Sequence, residues 1–321
     1  MVLIIHNRES NQYFQPAVLD GVAWETMRKG APGKLIFKVI ADSILNFSEG
    51  NVVHLQYDGK NVFQGFVFTK KRNKDGVIEV IAYDQLRYLK NKDIYPIVNQ
   101  TATTVIKNLA ANFQLKVGDI ADTGYVIPKY RGSNEAVIDI IQTALDMTME
   151  NTKKMYVLYD DYGKLNLKNI EDMRIDILID EETAEDFTYE STIDKDTYNR
   201  VKLYYDNKEE GKRDVWMTYD SNTIAKWGVL QLTQSINAKK TLNIQQKADS
   251  LLALHNRVGR TLTIQNAIGD VRVRGGSRIY TNLYLGDQKL NSFMLVEEVK
   301  HTFSNNQHVM NLTLRGDVIT G

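Results

Sequence analysis

The chain has 321 residues, 43% of them hydrophobic, which suits about two domains, each with a core of its own. Forty Lys plus Arg balance forty Asp plus Glu, so the formal net charge is zero; this argues against an electrostatic grip on nucleic acid or an anionic membrane and points to protein partners. Cysteine is absent, which excludes disulfides, thiolate metal sites and cysteine nucleophiles.

In chain order, the apolar run after Met1 is only four residues, too few for a signal-peptide core. No later run approaches a membrane span, so the chain is expected to be made and kept in the cytoplasm. Short strands are predicted at 2–5 and 17–24, and a fuller one at 35–40 after the Ala31-Pro32-Gly33 turn. Residues 50–84 read as an antiparallel meander: an alternating strand from Gly50, a turn at Gly59, a strand entered through Phe66, a polar turn at 72–76 and a return at 77–82. A relative of this stretch returns at 276–317. There Gly276 stands for Gly50, Gly286 for Gly59 and Phe293 for Phe66, with a polar turn at 304–307. The spacing predicts one β unit carried twice, the alternative being two unrelated meanders.

The middle of the chain changes character. Residues 101–113 place Val105, Ile106, Leu109, Ala110 and Phe113 on one helical stripe, with Thr101 or Thr103 as N-cap. Residues 134–149 repeat the pattern after Ser133, and 154–167 form a hairpin about Asp160-Asp161-Tyr162-Gly163, so 101–170 reads as a small α+β module. Strands are predicted at 198–205 and 214–219, and a third helix at 244–258 with Gly259 as its C-cap.

Signatures of catalysis are scarce. There is no phosphate loop, no His-Glu-x-x-His, no Gly-x-Ser-x-Gly elbow and no Ser-x-x-Lys. The acidic stretch 175–187, with Asp180, Glu181, Glu185 and Asp186, invites an acid/base reading, but adjacent exposed acids are more often a solvated loop. Glu297, Glu298, His301 and His308 face one another across a predicted hairpin and have metal-binding chemistry, against the plainer reading of a solvated strand face. No catalytic, cofactor or metal residue is assigned. The seventeen tyrosines are spread over strands, which suits sheet faces and protein interfaces better than a base-stacking platform.

The blocks VAWETMRKGAPGKLIFKVI (22–40), FSEGNVVHLQYDGKNVFQGFVF (47–68) and AYDQLRYLKNKD (82–93) resemble the XkdQ/YqbQ-type proteins of Gram-positive prophages. TYNRVKLYY (197–205), KWGVLQ (226–231) and ADSLLALHNRVGRTLTIQNAIGDVRVRGGSRI (248–279) agree in order along the chain. The resemblance implies a baseplate hub of a contractile tail, from a phage or a phage-tail-like bacteriocin, similar to the central hub of T-even phages. Such hubs are homotrimers with two tube-protein-like β-barrels per subunit.

The expected fold is therefore mainly β with an α+β insertion. It comprises a first tube-like barrel at 1–95, a helix-hairpin module at 96–175, and a second barrel at 176–321 with a helix at about 243–258. The expected partners are two further copies of the chain, the tail tube protein, the central spike, wedge or LysM-type baseplate proteins and the tape measure, with neither membrane nor sequence-specific nucleic acid. The expected location is the baseplate of a virion or tail-like particle assembled in the host cytoplasm. Rival readings are a tail-tip peptidoglycan hydrolase using the acidic stretch, and a carbohydrate-binding fibre module.

Overall fold

The computed structural model describes residues 1–207, 211–236, 244–286, 289–304 and 307–316. Seven strands open the chain: β1 Val2–Asn7, β2 Gln12–Phe14, β3 Val22–Met27, β4 Lys34–Ile40, β5 Val52–Tyr57, β6 Lys60–Arg72 and β7 Val77–Tyr83. Apolar residues alternate along them, so Leu3 and Ile5, Leu35, Phe37 and Val39, and Ile78, Val80 and Ala82 all fall on one buried face. The two-residue turn from β5 to β6 is Asp58-Gly59, both at positive φ (49° and 70°), the conformation that matches the twist of the strands it joins.

A second core belongs to the stretch that follows. A 3-10 turn at Gln85–Lys90 leads to β8 Lys92–Asp93, β9 Pro96–Thr101, α1 Ala102–Asn112, β10 Val117–Ile120, β11 Val126–Arg131, β12 Glu135–Ala136, α2 Val137–Thr152, β13 Tyr156–Asp160 and β14 Leu165–Asn169. Thr101 caps α1, its side chain accepting from the Thr104 N–H. The second helix starts later than the sequence suggested. Residues 135–136 pair with β8 instead, and no side chain caps α2 at Ala136, so Ser133 is not its cap. The stripes Val105, Ile106 and Leu109 of α1 and Val137, Ile140, Ile141 and Ala144 of α2 are buried in one cluster with Leu86, Leu89, Leu165 and Leu167.

Next come β15 Arg174–Ile179 and β16 Asp186–Thr192. The chain divides by compactness into 1–188 with 262–321, and 189–261. The second of these units holds β17 Arg200–Asn207, β18 Lys212–Tyr219, α3 Ser221–Trp227, β19 Gln231–Ser235 and α4 Ile244–His255. Its sheet runs β18-β17-β19, with β19 parallel to β17, and its core is Val201, Leu203, Ile236, Ala248 and Leu251. The sequence reading had merged this α/β unit into the second barrel. Its strands have their own core, which periodicity alone does not reveal. The helix α4 ends at His255, so Gly259 is no C-cap but the first residue of the next strand.

The chain closes with β20 Gly259–Ile268, β21 Arg278–Tyr284, β22 Lys289–Ser304 and β23 Gln307–Gly316. The polar turn residues 305–306 and the 287–288 half of the Gly286 turn lie outside the described residues. Thirteen strands make one mainly antiparallel sheet in which β3-β4-β7-β6-β5-β1 recurs, position for position, as β16-β20-β23-β22-β21-β15. One direction differs: β1 runs antiparallel to β5, whereas β15 runs parallel to β21. Among the described residues no ladder closes into a ring, and the two matched sets of strands are continuous in one sheet. The halves are joined by β22, whose residues 298–303 pair with β3 in register, Glu298 with Met27 through Phe303 with Val22.

Candidate functional site

The recurrence extends to single hydrogen bonds. The Gly50 N–H donates to the Val67 carbonyl at 2.8 Å and the Val67 N–H to Asn51 O at 2.9 Å; the Gly276 N–H donates to Val296 O at 2.8 Å and the Val296 N–H to Ser277 O at 2.8 Å. Both glycines sit at positive φ, 83° and 96°. Immediately after each valine the ladder carries a bulge, at Phe68 in β6 and at Glu297 in β22. This register corrects the pairing of the phenylalanines. Phe66 corresponds to Leu295, and Phe293 lies two residues away from it, because side-chain matching cannot see where the bulge falls. Neither ring is a core residue. Phe66 is half-buried against Tyr88, with ring centroids 5.6 Å apart, and Phe293 is half-buried beside Tyr280, with the Arg174 and Arg278 guanidinium groups over its face.

The junction between the halves is the most elaborated place in the larger unit. Trp24 of β3 and His301 of β22 are opposite each other in register and stack with centroids 4.6 Å apart. Both are buried, at 3% and 0% exposure. His301 Nε2 lies 2.9 Å from the Val273 carbonyl, which can only accept, so Nε2 carries the proton. Nδ1, 2.9 Å from His308 Nε2, is then the acceptor of a His308 N–H. Burial, reinforced by His308, lowers the His301 pKa to about 3, and burial lowers that of His308 to about 4; both rings are neutral at pH 7. Phe303 stacks on His308 at 4.4 Å and Tyr57 meets both rings.

The four metal-ligand candidates are thus split. His301 and His308 bond to each other, Glu297 is paired with buried Arg28 at 2.7 Å and with Arg315 at 3.0 Å, and Glu298 is exposed. Among the described residues no group of three or more His, Cys, Asp or Glu is placed to share an ion.

Within the acidic stretch, 175–179 belong to β15, 180–185 form a solvated loop and 186–187 open β16. Asp180 accepts from the Glu182 and Thr183 N–H groups and from the Thr183 hydroxyl, and these bonds hold its carboxyl below the usual value. That is opposite to what a general acid needs. Glu181, Glu185 and Asp186 are exposed.

Sequence reasoning missed two buried carboxyls. Asp84 accepts from the Gly33 N–H at 2.7 Å and from the Leu86 N–H at 2.9 Å, and burial, with Asp160 nearby, raises its pKa well above the ordinary value. Burial raises Asp160 to about 6. A Cβ on Gly33 would come within 2.5 Å of the Asp84 carboxyl, so this contact needs glycine. These acids tie a turn and a 3-10 start to the sheet. A surface hollow of about 190 Å³ lined by Glu25, Lys34, Arg87, Lys90 and Glu298 is smaller than ordinary ligand sites. Asp84 closes the meander read at 50–84, but its burial depends on Gly33, fifty-one positions away.

Two of the open strand edges differ in charge. The far side of β6 beyond Phe66 has no partner strand among the described residues, and neither has the outer side of β16. The β6 edge carries Thr69, Lys70, Lys71 and Arg72, all exposed, while β16 and its approach carry Glu181, Glu182, Glu185, Asp186 and Glu190.

Solved structures with a similar fold include tail proteins. The solved 43 kDa tail protein of prophage MuSo2 from Shewanella oneidensis superposes with a TM-score of 0.71 at 10% identity, covering 98% of each chain. The Escherichia coli c3393 protein, a type VI secretion component described as structurally similar to T4 tail proteins gp27 and gp5, superposes at 0.55 with 11% identity, over 99% of this chain and 80% of that one. The YQBQ-like family profile matches residues 22–315, and the chain belongs to that family. Its relatives include the protein YqbQ of Bacillus subtilis, 31% identical over 92% of this chain and 91% of that one, and the PBSX phage-like element protein XkdQ of the same organism, 29% identical over the same shares.

Proposed function

We propose that the chain is a structural, non-catalytic hub of a contractile-tail baseplate, three copies of which form a ring. The observation that carries this reading is the recurrence of six strand positions in one order within a single chain. A homotrimer of single units offers three equivalent surfaces, whereas a trimer of duplicated units offers six nearly equivalent ones. Such a ring adapts a hexameric tube above to a trimeric spike below, with each half of the sheet acting as one tube-like β unit. The partners are the tail tube protein, the spike and the neighbouring baseplate proteins, and the place of action is the virion or tail-like particle.

The hydrolase reading is disfavoured because Asp180, its best acid, is held ionised by its loop. Light scattering after size exclusion, at high protein concentration and with the spike protein present, tests the ring. The expected mass of the hub assembly is about 110 kDa, three times the 36.7 kDa chain. Monomer or dimer alone would overturn the proposal. Incubation with purified cell walls should release no muropeptides, and turnover lost in Asp180→Ala would restore the enzyme.

A further inference from the structure

We infer that the open face of the three-stranded sheet in the 189–261 unit docks an amphipathic helix of a partner protein, its apolar ridge along β18 and its acidic flank over Arg200 and Lys202. The inference does not depend on the ring.

The face follows from the register. Trp216 of β18 packs against the core that includes Ala248 and Leu251 of α4. Val215, Met217 and Tyr219 stand on the opposite face, at 47%, 50% and 58% exposure. Alternate residues of a strand lie about 6.8 Å apart, so these three form one apolar row about 13 Å long. Across the ladder they oppose Tyr204, Lys202 and Arg200 of β17 in turn, and beyond these the facing residues of β19 are polar and uncharged. Single apolar residues on a surface are ordinary, whereas a contiguous row beside polar residues marks a contact.

Two features say what covers the row. The strand β19 runs parallel to β17, and sheets with parallel strands are commonly covered on both faces, yet here only the face toward α4 is. Charge is the second feature. Arg213 is paired with Asp206 at 2.6 Å, but among the described residues no carboxylate pairs with Arg200 or Lys202, both half-buried in the middle of the face. An acidic partner complements them.

A helix fits these dimensions. Residues four apart on a helix rise by about 6.0 Å, close to the spacing of the row, and acids three or four apart on one flank reach over β17, whose axis is about 4.8 Å away. A partner strand would pair at an edge and leave the face bare. A second copy offering the same face would set Arg200 and Lys202 against their own kind. For a single-stranded nucleic acid the row offers only Tyr219 to stack on, because Arg213 lies over the Tyr204 ring at 4.6 Å.

The probe is a synthetic helical peptide of about 18 residues, long enough to hold a helix, with Leu at every third or fourth position and Glu along one flank. Its counterpart carries Lys in place of Glu. Fluorescence anisotropy with the full chain should show saturable binding of the Glu peptide and none of the Lys peptide. Met217→Glu should weaken binding by about tenfold or more, whereas Ile44→Glu, at 76% exposure in the other unit, should leave it unchanged. Arg200→Glu combined with Lys202→Glu should reverse the preference, so that the Lys peptide binds, an outcome that a misfolded variant cannot give. No saturable binding, equal binding of both peptides, or an affinity unmoved by Met217→Glu overturns the inference. Binding of oligothymidylate that Met217→Glu abolishes would assign the face to nucleic acid, and self-association abolished by the same change would assign it to a second copy; either result overturns the helix. All of these outcomes leave the hub reading as it stands.

Discussion

The Trp24 indole lies flat on the His301 imidazole, across the only six-residue ladder that ties the first half of the described sheet to the second. Loss of this ring would leave a void at 3% exposure between the two strands of that ladder. Trp24→Ala should cost about 3–5 kcal/mol in urea unfolding, as large aromatic truncations in cores do. A cost below about 1 kcal/mol would mean that the junction is not a core.

Acid should weaken the same junction. His301 and His308 have folded pKa values of about 3 and about 4, below the ordinary 6.5, so the unfolded chain binds protons first as pH falls. Their contribution to stability is present in full above about 6.5 and declines as pH drops from there through 4 to 3. Asp84 and Asp160 work in the opposite sense. Their raised values make the fold lose stability as pH rises above about 4, through about 6 in the case of Asp160. Denaturation midpoints of His308→Gln against the unmodified chain isolate the first effect, because the substituted amide can still donate to His301 but does not titrate. The difference between the two proteins should change steadily between pH 6.5 and 4 in favour of the variant. Parallel curves would contradict the neutral-pair assignment.

The matched glycines should not be equally tolerant. Alanine at Gly50 or Gly276 has to adopt a left-handed φ, a cost of about 1–2 kcal/mol. A Cβ at Gly50 meets nothing within 4 Å, whereas one at Gly276 comes within 2.8 Å of a Val157 methyl in β13. Thermal melts should rank Gly276→Ala clearly below Gly50→Ala. Equal losses would mean that only the backbone matters.

Asp84 offers a test of a polar contact without a cavity. Both carboxyl oxygens accept backbone N–H groups, from Gly33 and from Leu86. In Asp84→Asn one of those donors must face an amide NH2, and an unmet buried donor costs about 1–3 kcal/mol. The loss should appear in denaturant midpoints at neutral pH, and an unchanged midpoint would show that the turn at Gly33 does not depend on the acid.

The sequence carried the meander at 50–84, its relative at 276–317 and the stripes of α1 and α2, because period-2 and period-3.6 patterns are written in neighbouring residues. It did not carry what depends on pairing at a distance. The bulges at Phe68 and Glu297 set the register between the halves, and without them Phe66 was matched to Phe293 on type and spacing. His301 read as part of a solvated strand face because its neighbours in sequence are polar, yet it is sealed by Trp24 from a strand nearly the whole chain away. The unit at 189–261 was invisible as a unit. Its first strand alternates like any sheet strand, and only the parallel partner β19 and helix α4 define its separate core.

The central claim is that one chain supplies two equivalent units to a threefold ring. Electron-microscopy averages of the assembled hub, viewed down its axis, test it most directly. The account predicts a closed rim with six similar lobes at steps of roughly 60°, alternating between two kinds, so that the true symmetry is threefold. Three lobes, or two sets of lobes at different radii, would contradict it.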